Sequence, residues 1–224
     1  MERLRVTSER QLPDSVECGL VCLKMIYAYY GIEISMDRLR QDLALTDVGT
    51  YAPQLGSHLL KNGFDVEIVT YNPRLVWKQD KNLTSEQLKA KFEDRMQSAD
   101  QNDKFVLEYF VNFMNNGGSV KVKIPSIEEL DEETKAGRPV IVFLTNAVLY
   151  DKNIADLKGR PFSYTFHTDV VTGVMDGKVA VNDPYFEEEG GEKEYPVDEF
   201  MFAVHSSSLG DLDNGCFIKI RKRD

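Results

Sequence analysis

From Cys18 to Tyr30 the chain reads CGLVCLKMIYAYY, an apolar run broken by a single lysine. Apolar residues on every side require burial on every side, so the run predicts a helix sunk in the core, ended at Gly31 by a left-handed cap. Its first turn carries a cysteine. Helix N-termini present free backbone N–H groups and the positive end of the dipole, which favour a thiolate there. Asp14 and Ser15 stand just upstream as candidate caps. A small buried residue would fill the same position, so the helix by itself leaves Cys18 open between packing and chemistry.

The rest of the first half continues as helices and one strand. A helix is expected after Ser35, and another over Ala52 to Asn62 closed by Gly63. The alternating strand Phe64 to Val69 follows. Thr84 with Gln87, and Ser126 with Glu129, have capping-box spacing, and Lys104 to Met114 is amphipathic. The second half is strand-rich: Pro139 to Thr145 is a buried strand, and Tyr164 to Met175 with Lys178 to Asp183 forms a hairpin around Asp176-Gly177. The acidic stretch 187–192 reads as a solvated turn, and Arg221-Lys222-Arg223 as a short basic tail. The expected fold is α+β and single-domain over residues 1–224. It divides into a helical lobe at 1–71, a helical insertion at 72–118 that serves as lid or substrate wall, and a β-rich lobe at 119–224.

With 27 basic against 37 acidic residues the formal charge is −10, which disfavours nucleic acid as a partner. No run approaches the ~20 apolar residues of a membrane span, and the N-terminal residues lack a signal-like apolar core, so a cytoplasmic protein with no membrane partner is expected. Three cysteines fit a reducing compartment better than a disulfide framework. Cys18 and Cys22 share a helix face, but zinc thiolate sites normally need four ligands and Cys216 is the remaining cysteine, so no metal and no cofactor is expected. His58 and His205 lack recognisable partners and read as structural.

His167 lies in the strand that opens the hairpin. A strand histidine is usually structural, yet a rigid imidazole facing a helix-borne cysteine is what thiol hydrolysis needs. A third group on the neighbouring strand would fix its tautomer, and both Asn182 and Asp183 are available. The turn decides between them. A two-residue Asp176-Gly177 loop pairs Met175 with Lys178 and puts Asn182 on the His167 face; a three-residue loop with Gly177 as a left-handed bulge pairs Val174 with Lys178 and brings in Asp183. The second register is favoured.

In order, Gln11, Cys18 to Leu23, Tyr29-Tyr30-Gly31, His167 with Val170 to Gly173, and Val181-Asn182-Asp183-Pro184 resemble the bacteriocin-processing peptidase domain and its stand-alone relatives. Those are papain-like cysteine peptidases known for cutting leader peptides after a double glycine. The resemblance implies a papain-like fold with the nucleophile on a buried helix packed on an antiparallel sheet from the C-terminal half. It implies Cys18 as nucleophile, His167 as base, Asp183 as its orienting acid and Gln11 as oxyanion-hole donor. A peptide, protein or small amide would be the substrate. Two departures stand out: Gln11 lies seven residues before Cys18 where six is more usual, and Glu17 replaces an aspartate. The absence of a Walker-type loop separates this chain from exporter-linked relatives, so double-glycine specificity is not implied. Acyl transfer, as in phytochelatin synthase-like enzymes, and an inactive binding module are the competing readings.

Overall fold

The computed structural model describes residues 3–47, 49–150, 166–208 and 210–223. Seven helices and seven strands are found among them: α1 Cys18–Tyr29, α2 Met36–Asp42, α3 Ala52–Lys61, β1 Phe64–Thr70, α4 Ser85–Met96, α5 Gln101–Asn115, β2 Ser119–Val122, α6 Ile127–Lys135, β3 Val140–Thr145, β4 Phe166–Met175, β5 Lys178–Asp183, β6 Gly191–Pro196, α7 Val197–Ser207 and β7 Cys216–Lys222. The strands form one sheet in the order β2-β1-β7-β3-β4-β5-β6, antiparallel throughout except for β1 with β2. The α+β architecture expected from the sequence is therefore present. The sheet also takes in β1 from the first half. No helix among the described residues is long and apolar enough to cross a membrane.

Helix α1 is buried along its length, with Leu20, Cys22, Leu23, Met25, Ile26 and Tyr27 at 0% exposure. Neither Asp14 nor Ser15 caps it. Glu17 occupies the N-cap position without a side-chain bond to the helix, and both of its carboxylate oxygens instead grip the Arg40 guanidinium at 2.6 and 3.0 Å. That bidentate pair ties the start of α1 to α2. At the other end Gly31 takes φ +74°, and the Ile32 N–H reaches back to the Tyr27 carbonyl, so the helix stops where the glycine permits it.

Gly19 has a steric reason. A Cβ there would lie 2.3 Å from Thr50 Oγ1 and 3.1 Å from Leu55 Cδ1. Gly19→Ala is expected to destabilise the protein by about 1–3 kcal/mol through overpacking, read as a lower denaturant midpoint. An unchanged midpoint would show that Thr50 moves aside freely.

Thr84 and Gln87 form the reciprocal box that starts α4, whereas Ser126 does not cap α6 with its side chain. Helix α5 begins a turn earlier than its apolar pattern indicates, because Asp100 accepts from the Asp103 N–H. Leu88, Phe92, Val106, Phe110 and Phe113 of α4 and α5 share one apolar core with α1 and α3. The acidic stretch runs directly into β6, and Arg221 and Lys222 belong to β7 rather than to a free tail. The expected start of the histidine hairpin at Tyr164 lies outside the described residues.

The hairpin differs from the favoured register in an instructive way. Met175 pairs with Lys178 and Val174 with Val179, across a two-residue turn in which Asp176 and Gly177 take φ +51° and +72°. Both central residues are left-handed, the mirror turn that matches strand twist. This corrects the three-residue loop. Continued unchanged, that register would put Asn182 on the His167 face. The extra residue occurs further along: pairing shifts between Val171 and Gly173, so that beyond Thr172 Val171 faces Val181 and Val170 faces Asn182. The next step sets Asp183 opposite Asp169, on the face of His167. The bulge is held by the N-terminal arm, whose Leu4 N–H donates to the Thr172 carbonyl at 2.8 Å. Asn182 points the other way, donating to the Val6 carbonyl at 2.8 Å and accepting from Arg3.

Candidate active site

The N-terminus of α1 meets the start of β4. Cys18 Sγ lies 3.7 Å from Thr168 Oγ1, and the His167 imidazole is close enough to the same sulfur to favour its ionised form. Burial works against ionising the thiol. The neighbouring His167 imidazole and its positive charge, followed by Thr168 and the Gly19 backbone N–H, outweigh it and leave the thiol below its ordinary value. Cys18 is partly exposed, whereas Cys22 and Cys216 are buried. The Cys22 thiol lies 3.1 Å from the Thr168 carbonyl and is pushed up by its burial. Only the first cysteine has both access and a counter-charge.

The imidazole is anchored on its far side. His167 Nε2 donates to Asp183 Oδ1 at 2.7 Å, which leaves Nδ1 as the ring nitrogen for the sulfur. Burial alone would lower the histidine's pKa, but the Asp183 charge and hydrogen bond hold it well above the usual range. Asp183 is itself kept below the ordinary carboxylate value against the effect of its burial. His167 does most of this, helped by Tyr150, whose hydroxyl donates to Oδ2 at 2.7 Å, and by the Tyr185 N–H at 2.8 Å. The Tyr185 ring stands at 90° to the imidazole with centroids 6.1 Å apart. Cysteine, histidine and aspartate thus lie next to one another, with the thiol held below and the imidazole above its ordinary value.

Gln11 reaches the neighbourhood without joining this chain. Its N–H donates to the Pro184 carbonyl, and its side-chain Nε2 donates to the Ser15 carbonyl at 2.7 Å. The added residue in its spacing is taken up by a turn in which Asp14 adopts φ +56° and Ser15 N–H bonds the Leu12 carbonyl. His58 and His205 lie elsewhere. Tyr27 donates to His58 Nδ1 at 2.6 Å, and His205 donates to the Pro125 carbonyl at 2.9 Å.

The sequence reading passed over Asp169. It is fully buried, its Oδ1 lies 3.5 Å from His167 Nε2, and neither carboxylate oxygen has a hydrogen-bond partner. Burial and the neighbouring Asp183 charge push its pKa well above the ordinary value, the opposite direction from Asp183. His167, Asp169 and Asp183 form a group among the described residues whose ligand atoms, all within 4.8 Å of one another, could hold a metal ion. Here the His167 and Asp183 members are bonded to each other.

A cleft opens beside the sulfur. Tyr51, Phe143 and Phe166 line part of it, and Asp211, Asp213 and Asn214, from the loop before β7, line another part with Thr50 and Thr168. None of the described residues lining it comes from the 72–118 segment. Asp213 caps α3, accepting from the Ala52 N–H at 2.7 Å, and burial raises its pKa to about 7.

Comparison with known proteins agrees with this architecture. Residues 8–93 match the model of the Peptidase C39 family. The match takes in Gln11 and all of α1 and stops short of the histidine hairpin. A C39-like peptidase from Bacillus anthracis superposes over 100% of both chains with a TM-score of 0.55 at 16% identity, which establishes the shared fold. A double-glycine-motif protease of an AMS/PCAT transporter, solved in complex with its leader peptide, covers 98% of this chain and 94% of its own at 14% identity and a TM-score of 0.48. The peptidase domain of Streptococcus ComA, a bifunctional ABC transporter of a quorum-sensing pathway, covers 98% and 100% at 15% identity and 0.49. No curated protein matches the chain. The C39 resemblance carried by the motifs is borne out, and the chain has the papain-like C39 peptidase fold.

Proposed function

We propose that the protein is a cysteine peptidase or amidase that works through an acyl-thioester on Cys18. The carrying observation is that Cys18 and His167 come together with the imidazole bonded to Asp183, the thiol lowered and the imidazole raised. The thiolate attacks the carbonyl carbon of a peptide or amide bond. The oxyanion forms beside the Cys18 backbone N–H; Gln11 enters this role through the family resemblance, by the second N–H of its amide. His167 then gives its proton to the leaving amine, and the C–N bond breaks to leave the thioester. Water enters, loses a proton to His167 and attacks the thioester, releasing the acid and restoring the thiolate. Asp183 holds the ring in place and stabilises its charge throughout.

The C39 match supports a peptide as substrate. A panel of peptides and acyl donors, run with the wild type and with Cys18→Ala, tests the reading. Cleavage by the wild type alone supports it, and products carrying an added amine in place of water would reassign the enzyme to acyl transfer. Cleavage that survives Cys18→Ala would exclude Cys18 as nucleophile.

A further inference from the structure

The loop before β7 is not used by the chemistry above, yet it places three polar side chains in the cleft beside Cys18. The loop is strapped down: the fully buried Asn72 donates from Nδ2 to the Asp211 carbonyl at 2.6 Å and to the Asn214 carbonyl at 3.2 Å. Asp213 is fixed by its bond to α3. The other two have unspent capacity. The Asp211 carboxylate makes no hydrogen bond or ion pair among the described residues; Arg74, the cation whose charge it feels, gives its guanidinium to Asp103 and to the Gly210 carbonyl, each at 2.8 Å. Asn214 is 5% exposed, lines the cleft, and has no side-chain partner among the described residues.

No lysine or arginine is among the described residues that line this cleft. Apart from the His167 imidazole the cleft therefore offers no cationic side chain to Asp211, whose carboxyl is raised by its partial burial, in a chain that carries −10 overall. Carboxylate capacity left open in a partly enclosed cleft is satisfied by a cation that brings its own donors. The aromatic faces of Tyr51, Phe143 and Phe166 suit the alkyl stem and planar head of such a side chain.

We propose that this cleft seats a cationic side chain of the substrate, arginine or lysine, next to the bond that Cys18 attacks, with Asp211 as its charge partner and the Asn214 amide as a further contact. The proposal deepens the peptidase reading and rests on it for the reaction, but binding can be measured without turnover. Cys18→Ala protein is titrated calorimetrically with N-benzoyl-arginine amide and with the neutral isostere N-benzoyl-citrulline amide. The arginine compound should bind roughly tenfold more tightly. In the Cys18→Ala/Asp211→Asn double variant, which keeps the shape of the side chain, that ratio should fall toward one. Equal affinity for the two compounds, no binding of the arginine compound, or a preference that persists in the double variant would overturn the proposal. Failure to cleave any peptide would instead count against the catalytic reading alone.

Discussion

Replacing His167 by alanine is expected to lower peptide turnover on the order of 10²–10⁴-fold, the usual contribution of a positioned general acid and base. It should also change the chemistry of a residue it leaves untouched. In the wild type burial opposes ionisation of Cys18, and His167 is the largest influence on the other side. Without it, burial dominates. Alkylation of Cys18 by iodoacetamide, expected below the ordinary thiol range in the wild type, should then titrate at or above ~8.5. Asp183 retains Tyr150 and the Tyr185 N–H as partners in the variant, so the strand end keeps its hydrogen bonds. Asp183→Asn is the companion: it leaves the imidazole in place but removes the charge that raises its pKa, and should shift the alkylation profile in the same direction by less. Identical profiles in wild type and His167→Ala would separate the sulfur from the imidazole and remove the basis for the enzyme.

Much of this arrangement is legible locally. The α1 run is apolar on every side, so burial follows from composition alone, and Gly31 marks its end. His167 and Asp183 stand in strands delimited by an Asp-Gly turn. What the sequence does not show is where the extra residue of that hairpin lies. The turn offers one place for it, but the N-terminal arm creates another by bonding Thr172, and that contact joins residues far apart in the chain. Asp183 is therefore on the histidine face for a reason other than the turn. Tyr150 was missed because its bond to Asp183 crosses from a loop with no periodic pattern. Helix α7 did leave a signal, with Phe200, Ala203, Val204 and Ser207 buried at helical spacing after acidic first-turn residues. Strand β7 merges with basic residues at its end, which hid its interior place in the sheet between β1 and β3. Asp169 was readable by parity: two residues after His167 in a strand, it had to share that face.

Asp169 gives the second large effect, on stability instead of turnover. Its carboxyl is fully buried and unpartnered, and its folded-state pKa is raised. For an acid with a raised folded pKa, the folded state holds the proton that the unfolded state has released. The contribution to stability is therefore intact below the unfolded value of ~3.9 and is lost progressively as pH rises toward the folded value. Asp169→Asn cannot titrate. The difference in unfolding free energy, variant minus wild type, should climb from about pH 4 upward by as much as ~1.4 kcal/mol per pH unit. The opposite slope from Asp183, depressed by His167, and the slope from His167 itself occur in both proteins and cancel to first order in the difference. Chemical denaturation from pH 4.5 to 7.5 measures it. A flat difference would mean that Asp169 is ionised in the fold, and a second carboxylate 3.5 Å from Nε2 would then compete with Asp183 for the imidazole. A rising difference, with Asp169 holding its proton, would leave Asp183 as the one charged carboxylate that sets the direction of the ring.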